Sequence, residues 1–159
     1  MTIRHLLPVV LPGLVLSCAG ATYQAPAPTV SKAGVAVSVV SKERCFISRD
    51  GEKFPTPAND ERFNLDMKVR FDNDSNRVVV VTPERLRLAG DADGKRTEMS
   101  PTQGGDVSLQ PRESQTVALQ FRRTGALDCH HPLELETAQA VTMDGKPIGL
   151  DPIRLVSAR

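Results

Sequence analysis

The chain is 159 residues long, and its 20 Lys and Arg are almost balanced by 19 Asp and Glu. So neutral a chain has no positive field to gather nucleic acid and no long basic run to favour anionic lipid. Aromatic residues make up only 4%, with no Trp and one Tyr, so the rings on which a sugar would stack are missing. The length suits one domain around one core.

The first elements in the chain decide its address. Arg4 and His5 lead into an apolar stretch of eleven residues, Leu6 to Leu16. A helix needs ~20 residues to cross a bilayer, and Pro8, Pro12 and Gly13 weaken this one further. A positive start, a short apolar core and then small residues is the layout of a secretory signal. Val15-Leu16-Ser17-Cys18-Ala19-Gly20 resembles the lipobox of bacterial lipoproteins. The resemblance implies removal of residues 1–17, lipid on the Cys18 thiol and acylation (such as palmitate) of the new amino terminus. Several acyl chains together anchor stably. The membrane is then one partner, reached through Cys18, and the location is the cell envelope. Ala19 after the cysteine implies sorting to the outer membrane if the host is Gram-negative. The alternative is a plain signal cut near Ala19 or Ala21. Removing residues 1–17 takes away one basic residue and brings the formal charge to zero.

Residues 18–33 read as the lipidated cysteine followed by an Ala/Pro-rich tether. Few large apolar side chains lie there, and its prolines favour extended conformations. The domain is then expected over residues 34–159, and it shows a period of two throughout. Val35, Val37 and Val39 alternate with Ala36 and Ser38. Phe63, Leu65, Met67, Val69 and Phe71 alternate with Asn64, Asp66, Lys68 and Arg70, predicting a strand with one dry and one wet face. Asp72 to Asn76 follows as a turn cluster. Val78 to Val81 is a β-branched run halted by Pro83. Leu86 and Leu88 come next, then the turn residues Gly90 to Gly94. Val107 and Leu109 precede Pro111, and Val117, Leu119 and Phe121 alternate with polar partners. Leu133 and Leu135 alternate with Glu134 and Glu136, Asp144-Gly145 marks a hairpin-like turn, and Ile153 to Val156 closes the series. No stretch has a long helical period with caps. The pattern predicts an all-β, antiparallel sandwich of about seven to nine strands.

Here the sequence resembles the immunoglobulin-like domains found in bacterial lipoproteins and secreted antigens. The likeness rests on Phe63 to Phe71, the turn Asp72 to Asn76, the valines after it, and Leu109-Gln110-Pro111-Arg112-Glu113-Ser114 leading into Val117 to Phe121. A Pro-Gly-Glu-Ser-like turn is common there, so Arg112 departs from the pattern. The resemblance implies a sandwich and brings no catalytic residues.

With Cys18 assigned to lipid, Cys45 and Cys129 are left as a pair in an oxidising compartment, where a disulfide is the default. The alternative is a metal site, zinc or Cu(I), built from Cys45, Cys129, His130 and His131. Its spacing is poor, because adjacent residues on a strand point to opposite faces. Met67, Met99 and Met143 could add copper ligands, although Met67 lies on a dry face. A Cys–His nucleophile pair needs a free thiolate beside an oriented base. Asp72-Asn73-Asp74 and Asp91-Ala92-Asp93-Gly94 resemble pieces of calcium loops and lack the full ligand set. The charged positions Arg85, Arg87, Glu134 and Glu136 are expected to pair across strands on a wet face.

No Gly-rich phosphate loop and no Gly-x-Ser-x-Gly elbow occurs, and no cofactor is implied. The expected function is therefore a non-enzymatic module that binds another envelope protein. Metal handling is the alternative, and a hydrolase with an unrecognised site is the second alternative.

Overall fold

The structure is a computed structural model that describes residues 20–40, 43–49, 61–92, 94–124, 129 and 131–158. Fourteen strands run through them: β1 (Gly20–Gln24), β2 (Thr29–Lys32), β3 (Val35–Val39), β4 (Glu43–Arg49), β5 (Glu61–Asn73), β6 (Val79–Val81), β7 (Arg87–Ala92), β8 (Lys95–Met99), β9 (Val107–Leu109), β10 (Glu113–Thr124), β11 (Leu133–Glu136), β12 (Val141–Met143), β13 (Lys146–Pro147) and β14 (Ile153–Ala158). A 3-10 turn, Pro83–Arg85, separates β6 from β7. Among the described residues no helix is long and apolar enough to cross a membrane.

Every pairing is antiparallel, in one ten-stranded and one four-stranded sheet. Short strands that follow one another along the same neighbour act as single broken ribbons. On one side of β5 lies β10 along its full length, and on the other lie β3 and then β4. Beside those run β2 and β1. In the second layer, β6 and β7 form a central ribbon, flanked by β9 and β8 on one side and by β12 and β11 on the other. Last come β13 and β14. Grouped so, the fourteen strands make eight ribbons in an all-β sandwich. That matches the seven to nine expected. Several breaks fall at prolines, which cannot donate to a ladder: Pro26 and Pro28, Pro83, Pro101 and Pro152.

Between the layers lies one core. Phe63, Leu65, Val69, Phe71, Leu119 and Phe121 face it from the first layer, and Val79, Val81, Leu88, Leu133, Leu135, Ile153 and Leu155 from the second. These are the period-two apolar positions, so alternation set the inward face as expected. The Asp144-Gly145 hairpin is also present. Both residues have positive φ, 51° and 74°, as a two-residue turn between right-twisted strands requires.

The tether expected over residues 18–33 is corrected. Gly20–Gln24 is a strand held between β4 and β14, and Thr29–Lys32 pairs with β3. Tyr23 is fully buried, and its hydroxyl donates to the His131 carbonyl at 2.6 Å. One aromatic ring and two open strand edges outweigh a composition too poor in apolar residues to suggest a strand. The domain therefore begins by Gly20, not at residue 34. A second correction concerns Gly90 to Gly94. Gly90 to Ala92 belong to β7, and the chain turns at Gly94, where φ is 73°. The Cys18 assignment and the signal, 1–17, lie outside the described residues.

Candidate functional site

Cys45 sits on β4, opposite Leu65 of β5 and Ala21 of β1. Cys129 lies between β10 and β11, and the two form a disulfide with Cα atoms 5.6 Å apart. Each is 1% exposed. The metal alternative thereby loses both thiolates, and the Cys–His nucleophile loses its sulfur. His131 lies two residues beyond Cys129. Its Nδ1 is 3.2 Å from the Asp91 carbonyl oxygen, and since a carbonyl only accepts, Nδ1 is the donor. His130 is outside the described residues. Met67 and Met99 are buried, and Met143 packs partly buried against the same core, so all three serve packing.

Around His131 the outer face of the second layer is charged and hollow. Ala89 and Gly90 on the central strand β7 carry little or no side chain, leaving a depression of about 260 Å³. Asp91, Arg96, His131, Glu134 and Arg154 surround it. Arg96 reaches from β8 across Ala89 to β11, donating to Glu136 and, at 3.2 Å, to Glu134. Hydrogen bonds to Glu136 first and Glu134 second raise the Arg96 pKa. The expected pairing of Glu134 and Glu136 is therefore present, across two strands, through a residue not singled out in the sequence. Arg87 instead donates to the main-chain carbonyls of Glu84 and Leu86.

At one end of the sandwich, Asn73 closes β5 and is fully buried. Its amide donates to the carbonyls of Arg77, Leu109 and Gln110, and its oxygen accepts from Ser75 N–H and Oγ. One side chain thus ties the turn after β5 to the turn between β9 and β10. In the second of these turns Arg112 has φ 65°, a left-handed value that glycine adopts freely. That is the physical reason a glycine is common there. Beside it, the Asp72 carboxylate accepts from Ser114 and Arg70. Its partial burial works to raise its pKa, and the Ser114 and Arg70 contacts outweigh this and hold it low. Asp72 to Asp74 is therefore turn and pair chemistry, and among the described residues no three His, Cys, Asp or Glu gather as metal ligands.

The sandwich is closed along one side and open along the other. β1 and β14 pair across the layers, whereas among the described residues β10 pairs only with β5. Gln120 turns its carbonyl outward, and Thr102 caps it through N–H at 2.7 Å and Oγ at 3.1 Å. By the same alternation, Ser114, Thr116 and Ala118 direct their main-chain N–H and C=O groups away from β5. Among the described residues these three have no main-chain partner on that side. An edge of this kind cannot be read from a strand's own pattern, because it depends on which neighbour is missing.

The fold and these surfaces define an all-β sandwich stapled by one disulfide. No protein-family model and no curated protein matches the chain. Among solved structures it is similar to the protein from Bacillus subtilis described as a "putative lipoprotein (ycdA)", at 15% identity and a TM-score of 0.50. The match covers 80% of this chain and 38% of that one, so the chain spans well under half the length of that structure. The likeness is one of fold.

Proposed function

We propose that the chain is an exported envelope lipoprotein, cut before Cys18 and lipidated there, whose immunoglobulin-like sandwich binds another envelope protein without catalysing a reaction. The observation that carries the anchoring is the disulfide. Of three cysteines, Cys45 and Cys129 are spent on each other, which suits an oxidising compartment. The remaining cysteine is the one in the lipobox-like segment. The fold shared with a structure described as a lipoprotein agrees with this. For binding, the support is the exposed main chain of β10, which suits addition of an extended strand.

Two measurements test the proposal. Intact-mass analysis of the full chain expressed in a Gram-negative host should show acyl groups on Cys18, and Cys18→Ala should move the protein from the membrane to the soluble fraction. Wild type in the soluble fraction would refute the anchoring. In-cell crosslinking from position 118, exposed on the same edge, should trap an envelope protein, and Thr116→Pro should abolish the capture by removing a main-chain donor. Capture unchanged by the proline, or substrate turnover by the purified protein, would refute the binding role at this edge.

A further inference from the structure

We infer that the sandwich stands on the bilayer in one orientation, with the end where β1 begins facing the lipid and the end tied by Asn73 facing away. The inference rests on the lipidation of Cys18. Gly20, the first residue of β1, is only two residues beyond Cys18, and two residues of extended chain reach at most ~7 Å. Nothing between them is long enough to act as a tether.

The first strand is also fixed in place. Gly20 to Tyr23 pair with Phe46 to Glu43 of β4, and Thr22 to Gln24 pair with Ala158 to Val156 of β14. Tyr23, fully buried and hydrogen-bonded to the His131 carbonyl, prevents the strand from peeling away to make a tether.

Register then says which residues share the anchored end. From Glu43, β4 runs toward the anchor, passing Phe46 opposite Gly20 and reaching Arg49 opposite Glu61 of β5. β10 ends there too, with Arg123 opposite Phe63 and Thr124 opposite Arg62. β14 finishes at the same end, Ala158 opposite Thr22. At the far end of β5 lie Asn73, the turn at Ala33-Gly34 and the turn at Arg112, since Asn73 pairs with Val35 and Glu113. β5 has thirteen residues, and at ~3.3 Å each it separates the two ends by ~40 Å. Because the mature chain has no net charge, the orientation comes from covalent attachment and needs no attraction to anionic headgroups.

The test uses the full lipidated chain in phosphatidylcholine vesicles carrying a nitroxide on the headgroup. Fluorophores are placed singly through Arg123→Cys, at the anchored end, and Asn76→Cys, at the far end; both positions are exposed. Quenching at position 123 should be several-fold that at position 76. An insert of about sixteen Gly/Ser residues between Cys18 and Gly20, with a reach of ~22 Å, should largely erase the difference. Equal quenching at the two positions, or more at 76, overturns the orientation while leaving the anchoring intact. Failure of the protein to float with the vesicles overturns the anchoring and the orientation together.

Discussion

Asp72 precedes Asn73 in the chain and Arg112 donates its main-chain N–H to the Asn73 carbonyl at 2.7 Å, and each makes a separate claim on stability. At Arg112 the backbone holds φ at 65°, costing a residue with a Cβ ~1–2 kcal/mol relative to glycine. Arg112→Gly should therefore raise the unfolding free energy by about 1 kcal/mol in denaturant titration. The gain is partly reduced by the added freedom of the unfolded chain. Asp72 behaves differently, because its contribution depends on charge. Its folded pKa is lowered, so its stabilisation is present above the unfolded value of ~3.9 and is lost as pH falls through the folded value. Denaturant curves should show wild type more stable than Asp72→Asn near neutral pH, with the gap closing below about pH 4. A gap independent of pH would place the effect in packing instead.

At the level of elements, the sequence was legible wherever apolar and polar residues alternate. Phe63 to Phe71 reads as a strand because its dry face meets the core and its wet face meets water, and β5 is that strand extended by two residues at each end. β1 shows no such alternation. Gly20–Gln24 contributes one large buried side chain, Tyr23, and relies on strand edges far away in sequence to hold it. Lone anchors leave no periodicity. Tyr23→Ala measures the point directly. A tether residue would cost nothing, whereas loss of a buried aromatic should cost ~3–5 kcal/mol, read as a shift in the denaturation midpoint. The disulfide was legible from cysteine count and compartment, without geometry. The hollow beside His131 and the open edge of β10 were not, because both arise from which strands stand side by side: Ala89 and Gly90 matter only once Arg96 and Glu134 flank them.

Taken whole, the molecule is held by two kinds of long-range tie. Cys45 and Cys129, 84 residues apart, join the first layer to the segment leading into the second. Replacing both by Ala should lower stability by about 4 kcal/mol through the unfolded state, measured against the oxidised wild type in urea. The same loss should appear on reducing the wild type, and no loss on reducing the double variant. The second tie is the β1–β14 seam, which brings Thr22 opposite Ala158.

That seam also sets a clock. Residues 156–158 complete β1, and residues 153–155 pair with β11, so β14 fills the slot beside β1, from the opposite end of the described residues. Until it arrives, β1 and β11 each present a bare edge, and closing so distant a pair is slow. Loss of the six residues of β14, Ile153–Ala158, would therefore leave both edges permanently open to proteases and to neighbouring chains.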